Sequence, residues 1–328
     1  MKILIINEKQ MKSIVSMNDA INAVKEASEQ YSKGNADIPL RANIDVKKYN
    51  GNSLYMYGFV SGSDALGVKL VSVYPDNPKL GISACPATMI LENAKTGEVS
   101  SIMDGTYLTR LRTGALSGAA TDLLSRKDSK VFALIGTGGQ AESQLDAVLA
   151  VRDIEEVRVY SRNYDNVVKF IDKVKANKKQ KFIACKSSDE VIDGADIITA
   201  VTVANDPVFD GKKVKKGCHI NGVGSYTKEM SEIDEYIVCN ANKIIVDTMD
   251  GTINETGDFL KPMEKGIFKK EMITGELGDL VLGRCKGREN DNEITFFETT
   301  GSAVFDLVTA EKIYELAMKK GLGTVIDL

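Results

Sequence analysis

"ALIGTGGQAE", residues 133–142, is the stretch whose reading decides the fold. An apolar run breaks into glycines and then into a helix former. Gly136, Gly138 and Ala141 form GxGxxA directly after a strand-like segment and directly before a helix-like one. The first glycine permits a tight turn. The second lets the backbone approach a pyrophosphate, and the small third position lets helix and strand pack closely. N–H groups at the helix start then face the phosphates. Alone the pattern is weak, but "EVRVYS" (156–161) follows where a mononucleotide-binding unit needs its second strand. The stretch therefore reads as a seat for NAD(P)(H). NAD-preferring sites place Asp or Glu at the tip of that second strand, to hold the ribose 2′-hydroxyl. This chain has Tyr160-Ser161-Arg162-Asn163 there. A hydroxyl and a guanidinium suit a 2′-phosphate, so the reading favours NADP; the alternative is that Arg162 is only a solvated loop charge.

Outward from this loop, strand and helix patterns alternate from residue 130 onward: "KVFALIG", "QAESQLDAVLAVR", "EVRVYS", "NVVKFIDKVKA", "KFIAC", "ADIITAV", "CHINGVG" and "NKIIVD". Such alternation predicts an α/β fold with a Rossmann-type, doubly wound parallel sheet. Before it, β-prone runs such as "SLYMYGFV" and "LGVKLVSVY" alternate with turn residues between residues 40 and 103, which predicts an antiparallel sheet of hairpins. Residues 105–125, rich in Gly, Ala and Ser, read as one long helix. An amphipathic helix is expected over Met17–Lys33, with Ser16 and Asp19 as a capping box and Gly34 as its stop. "SAVFDLVTAEKIYELAMKKG" reads as a strong amphipathic helix near the end. The expected organisation is an α+β domain over 1–115, rejoined by residues 303–328, and a dinucleotide-binding domain over 116–302.

Bulk properties exclude several classes. The chain has 328 residues, 43% hydrophobic and 27% charged, with net charge −4, which is an ordinary globular profile. No Lys/Arg-rich block stands out, so nucleic acid is not an expected partner. No apolar window of membrane-spanning length and no signal-peptide core are present. The five cysteines are scattered without a CxxC pair, which fits reduced, mostly buried thiols in a cytoplasmic protein. His219 is the only histidine, which argues against a His-based triad and a His-rich metal site; no metal is expected. It reads as a structural histidine at the end of a buried strand.

Three cations have unusual settings. Arg41 follows "IPL", Lys69 interrupts the apolar "ALGVKLVSVY", and Arg112 lies on the small-residue helix. Burying a cation without a partner is costly, so each is paired or functional. Each alone reads equally as a salt bridge or a snorkelling surface residue. Together they suggest an anion pocket suited to the carboxylate of a small amino or imino acid.

The blocks "IPLR" (38–41), "LGVKLVSVYPDNP" (66–78), "TGEVSSIMDGTYLTRLRTGALSGAAT" (96–121), "IGTGGQAESQ" (135–144), "INGVGSYTKEMSEID" (220–234), "GELGDLVLGRCKGR" (275–288) and "ITFFETTGSAVFDLVTA" (294–310) resemble the ornithine cyclodeaminase/μ-crystallin family. The resemblance runs over nearly the full length. It implies NAD(P)-dependent chemistry on small amino and imino acids, and a homodimer whose N-terminal domains join their sheets. It implies that Arg41, Lys69 and Arg112 hold the substrate carboxylate. Gly139 and Gln140 would contact the cofactor pyrophosphate, with Ser161 by the adenosine ribose. Thr202, Gly222 and Val223 would line the nicotinamide side, and Thr300 and Gly301 would lie beside substrate and nicotinamide.

One departure carries weight. Ornithine cyclodeaminases place an Asp, the proton donor and acceptor, shortly after the "VG" of the "INGVG" block; here the position reads Ser225-Tyr226. Tyrosine, with a usual pKa near ~10, is a poor base at neutral pH. The family pattern implies that nearby Glu232 and Asp234 belong to a structural helix. The expected activity is thus NAD(P)H-dependent reduction of a C=N bond in an α-imino acid. Arg41 and Arg112 clamp the carboxylate, Lys69 relays a proton, and Tyr226 shapes the pocket or bonds the substrate. The alternatives are ornithine cyclodeamination with recycled NAD, and a binding protein without turnover.

Overall fold

The structure, a computed structural model, describes all residues 1–328. The chain forms two compact units, one of residues 1–112 and 302–328, the other of residues 113–301.

The first unit holds strands β1 (Lys2–Ile6), β2 (Ala36–Asp37), β3 (Ala42–Val46), β4 (Gly51–Val60), β5 (Ala65–Val73), β6 (Ala87–Asn93) and β7 (Val99–Asp104). It also holds α1 (Glu8–Ile14), α2 (Met17–Ser32), the start of α3 (Gly105–Leu124), a C-terminal helix (Ala303–Lys320) and a C-terminal strand (Thr324–Asp327). β4 to β7 form the expected antiparallel meander, β2 and β3 both pair with β4, and β1 lies parallel to β7. The C-terminal strand closes on β1, an edge the sequence pattern did not reveal. The capping box predicted for α2 is present: Asp19 N–H donates to Ser16 Oγ and Ser16 N–H to Asp19.

β5 alternates inward and outward, and its inward row is Ala65, Gly67, Lys69 and Val71. Lys69 therefore takes the place of a core aliphatic. Its cross-strand neighbours on β4 and β6 are the buried Met56 and Met89. The C-terminal helix packs against α2, β4 and β5. Its expected amphipathic character is confined to the second half, because residues 303–310 are all buried.

The second unit is the doubly wound sheet. Its strands are β8 (Val131–Ile135), β9 (Glu156–Tyr160), β10 (Lys181–Ala184), β11 (Ile197–Ala200), β12 (His219–Gly222), β13 (Lys243–Val246), β14 (Gly275–Glu276) and β15 (Thr295–Glu298). All pair in parallel, in the order β10-β9-β8-β11-β12-β15-β13-β14. The helices are α4 (Ala141–Val151), α5 (Tyr164–Val174), α6 (Ser188–Ile192), α7 (Glu235–Asn240), α8 (Met249–Glu255), α9 (Gly257–Glu264) and α10 (Leu277–Val281). Phe132 and Leu134 of β8 pack into one core with α4 and α5, while Ala133 and Ile135 pack into another with α6 and α7. Both faces of β8 are thus covered, as parallel strands require. The winding reverses between β8 and β11, so the crevice at their carboxyl ends is the place where such sheets bind ligands.

His219 opens β12, at the end away from that crevice. It is fully buried, with Nδ1 2.9 Å from the Thr295 hydroxyl and Nε2 3.1 Å from Asn221 Oδ1. Burial, aided by the positive charge of Arg288, pushes its pKa down to about 3, so the ring stays neutral and structural. All five cysteines are free, but only Cys185 and Cys218 are buried. The expectation of mostly buried thiols is corrected here: Cys85 is exposed because it lies in the loop leading to β6.

Candidate active site

The glycine loop runs from the end of β8 to the start of α4. Gly136 has φ of +114°, and a Cβ there would lie 2.4 Å from the carbonyl oxygen of Val201. Only glycine fits this turn. Gly138 and Gly139 are the opposite case, since a Cβ on either would meet nothing within 4 Å. Their backbone faces open ground that a phosphate chain can occupy. Ala141, the first residue of α4, is fully buried, so the small third position serves close packing.

The loop borders a cavity of about 1020 Å³, lined also by Tyr160–Asn163 at the β9 tip and by residues 201–208 after β11. Gly136, Gly138, Gly139, Gln140, Ser161, Arg162 and Thr202 all face it. The Ser161 hydroxyl donates to the carbonyl of Asn163 at 3.0 Å. Arg162 is exposed on the cavity wall and no acidic side chain stands beside it in the tip.

Gly222, Val223, Tyr226, Thr300 and Gly301 lie not on this cavity wall but in the segments at the carboxyl ends of β12 and β15. Buried acids fix those segments. Glu232 accepts from the N–H of Thr202 and, at 2.5 Å, from that of Gly224, tying the end of β11 to the end of β12. Burial pushes its pKa up to about 8. Glu232 is not helical: it precedes α7, which starts at Glu235 under an Asp234 cap. The helical expectation holds for neither residue, because the "EID" acids are spent on holding loop and cap amides. Asp258 accepts from Ser231 Oγ and from the N–H groups of Glu232 and Ile233, all within 2.9 Å. Asp247 accepts from Thr299 Oγ1 at 2.6 Å and from Gly301 N–H at 2.8 Å, which fixes the turn at Gly301, where φ is +75°. Glu298 lies so close over Gly222 that a Cβ there would meet its carboxyl at 2.1 Å. Burial holds Glu298 well above the usual carboxylate range.

Ser225 is buried, its hydroxyl donating to the Met230 carbonyl at 2.8 Å. Tyr226 is half-buried. No carboxyl group occupies positions 225 and 226.

In the first unit, Lys69 and Arg112 converge on a residue the sequence reading passed over. Lys69 Nζ lies 2.6 Å from Asp306 Oδ2, and Arg112 Nε lies 2.8 Å from Asp306 Oδ1. Lys69 is 1% exposed, Arg112 6%, and Asp306 is fully buried in the first turn of the C-terminal helix. Burial pushes the Lys69 pKa down to about 7; the Asp306 charge opposes this, and Arg112 and Arg41 assist it. Desolvation is the main cause of this depression, and the two arginines are smaller ones. Arg41, half-buried just ahead of β3, adds its field to Lys69. Asp306 had a legible signal: an acid inside the apolar run "AVFDLV" needs a partner for the same reason Lys69 does.

The family profile of the ornithine cyclodeaminase/mu-crystallin family matches residues 1–321. The chain belongs to this family. Within it, the chain is 37% identical to a Δ1-pyrroline-2-carboxylate reductase of Bacillus cereus, over 99% of each sequence. The structure of the Thermococcus litoralis Δ1-pyrroline-2-carboxylate reductase, in complex with NADH and L-proline, is 39% identical. It superposes with a TM-score of 0.94 over 98% of this chain and 99% of that one. An archaeal alanine dehydrogenase dimer with bound NAD matches at 34% identity and a TM-score of 0.92, over 100% of both chains. These relatives are two pyrroline-2-carboxylate reductases and an alanine dehydrogenase. No helix of this member is long and apolar enough to cross a membrane.

Proposed function

We propose that this chain is an NAD(P)H-dependent reductase of small α-imino acids, with a cyclic imine of the Δ1-pyrroline-2-carboxylate type as preferred substrate. The observation that carries the reading is the pairing of two groups. A buried lysine and arginine share the single carboxylate of Asp306, which leaves one positive charge for a substrate carboxylate, and no acid stands at 225 or 226 to serve cyclodeamination. Full-length likeness to pyrroline-2-carboxylate reductases supports the choice of a cyclic imine.

Arg112 and Arg41 hold the substrate carboxylate, and the planar guanidinium of Arg112 fixes the plane of the C=N bond. Lys69, near neutrality in its pKa, supplies the proton that the imine nitrogen takes up. In the second unit, the backbone of Gly138, Gly139 and Gln140 and the start of α4 hold the pyrophosphate. Ser161 and Arg162 meet the adenosine ribose. Thr202, Gly222, Val223, Thr300 and Gly301, kept in place by Glu232 and Asp247, shape the nicotinamide side. The bound reduced nicotinamide supplies a hydride to the imine carbon. Tyr226 bonds or shapes the substrate without acting as base. The first unit binds substrate and dimerises. Exposed Leu40, Ile44 and Tyr57 there, together with the dimeric alanine dehydrogenase relative, support a homodimer.

The test is a substrate screen that follows oxidation of the reduced cofactor. Pyrroline-2-carboxylate, its six-membered homologue, pyruvate with ammonia, and ornithine are each offered with NADH and NADPH. Stoichiometric cofactor oxidation with the cyclic imines is expected. Proline and ammonia formed from ornithine without net cofactor change would favour cyclodeamination, and no turnover with any compound would sink the reading.

The acid-free β9 tip favours NADPH, although the solved relatives named above hold NADH or NAD. Arg162→Ala is expected to raise KM for NADPH by about 10- to 100-fold, the worth of one charge-assisted hydrogen bond. KM for NADH should stay within about twofold, since no 2′-phosphate is lost. Equal effects on both cofactors would rule out Arg162 as a 2′-phosphate ligand.

A further inference from the structure

The Asp306 carboxylate is shared. One oxygen takes the ammonium of Lys69 and the other takes Nε of Arg112. The pattern on the arginine is informative, because a guanidinium offers five N–H donors in a rigid fork. Asp306 uses only the Nε donor, and Arg112 makes no other side-chain hydrogen bond. The outer edge, with both terminal nitrogens, is left for a bidentate acceptor. Charge gives the same answer. Two cations against one carboxylate leave a surplus of one positive charge, which suits one further carboxylate. Asp306 is itself held firmly, in the first turn of a helix whose first eight residues are buried. An acid at this end of a helix also complements the helix dipole.

We propose that Asp306 is a positioning residue: it aims the outer edge of Arg112 at the substrate carboxylate and holds the Lys69 ammonium beside that grip. The proposal rests on the reading of the site as an imino-acid pocket. The charged or titratable groups that act on Lys69 are Asp306 on the C-terminal helix, Arg112 on α3 and Arg41 ahead of β3; the Cys85 thiol, ahead of β6, feels the lysine's charge. Of these only Asp306 favours the lysine's charged form by both charge and hydrogen bond.

Two variants separate the two duties. Asp306→Asn keeps the shape and removes the charge. The alkaline limb of kcat/KM for pyrroline-2-carboxylate reduction should then move to lower pH by about one unit or more, as expected for a buried lysine that has lost its counter-ion. Asp306→Glu keeps the charge and adds a methylene, which displaces the guanidinium. Its alkaline limb should stay in place while KM, and the Kd of L-proline for the cofactor-loaded enzyme by calorimetry, rise about tenfold. Should Asp306→Asn fail to give a cooperative thermal transition, the glutamate variant decides alone. Wild-type KM and proline affinity in Asp306→Glu, or an unmoved alkaline limb in folded Asp306→Asn, would overturn the proposal. The calorimetric arm needs no turnover, so a wild-type enzyme that reduces no imine would refute the function without deciding the role of Asp306.

Discussion

Lys69→Met is expected to lower kcat/KM for imine reduction by about a thousandfold at neutral pH, within the range set by removing a general acid. Methionine matches the length of the lysine stem and the chemistry of its neighbours. Met56 and Met89 flank position 69 across the sheet, so a third methionine extends an existing apolar row. The variant should therefore fold, with Arg112 left as the ion-pair partner of the buried Asp306. A lysine in that row costs desolvation, and the pKa of about 7 expresses this cost. The sign of the pH effect follows. In the wild type the lysine is protonated below about 7 and neutral above it. Reduction consumes a proton, so its kcat/KM should decline as pH rises through that value. The reverse reaction, oxidation of the amino acid, needs the neutral amine and should rise over the same range. In Lys69→Met both dependences on this group should vanish. A folded variant that keeps the wild-type rate and alkaline decline would remove Lys69 from the chemistry.

Gly136→Ala should abolish dinucleotide binding and cost about 3 kcal/mol or more in stability. Backbone at φ of +114° is strained by roughly 1–3 kcal/mol for a residue with a Cβ. Contact at 2.4 Å with the Val201 carbonyl adds to that, because backbone, not a flexible side-chain end, must give way. Val201 directly precedes Thr202, whose N–H is held by Glu232. Displacement there moves the cavity's opposite wall as well as the loop. Gly138→Ala provides the contrast: its Cβ would project into open space, so the apo protein should keep its stability while cofactor affinity falls. Calorimetric titration with NADH and NADPH, alongside thermal melts, reads both effects. Wild-type affinity in Gly136→Ala would show that the loop is not the seat of the dinucleotide.

Much of the second unit was legible because its rules are local. A glycine signature, a strand period and a helix start all lie within some tens of residues, and they place the loop, the β9 tip and the parallel sheet. The first unit was less so. The meander from β4 to β7 announced itself through turn residues, but the β1 and C-terminal strand pair joins residues from opposite ends of the chain, and no local pattern encodes that. The same distance concealed Asp306. Lys69, Arg112 and Arg41 were singled out as cations in the wrong company, yet the carboxylate that satisfies two of them lies far along the sequence. Glu232 shows another limit. Its neighbourhood resembles a helix start, and it lies just before one, but its carboxyl serves backbone amides at the ends of two strands. That role depends on strand order and not on sequence spacing.

The pairing of β1 with the strand Thr324–Asp327 has a temporal meaning. Met1 donates its amine to the Leu328 carbonyl at 3.0 Å, and Leu328 N–H returns a bond to Met1 at 2.9 Å. The second unit is continuous in sequence, so a ribosome delivers it whole before the final helix exists. The first unit, although begun before the second, is completed after it. Until residues 302–328 emerge, β1 lacks one edge partner, and Lys69 and Arg112 have no Asp306 to neutralise them. The carboxylate grip of the pocket thus forms only after the whole of the second unit has been made.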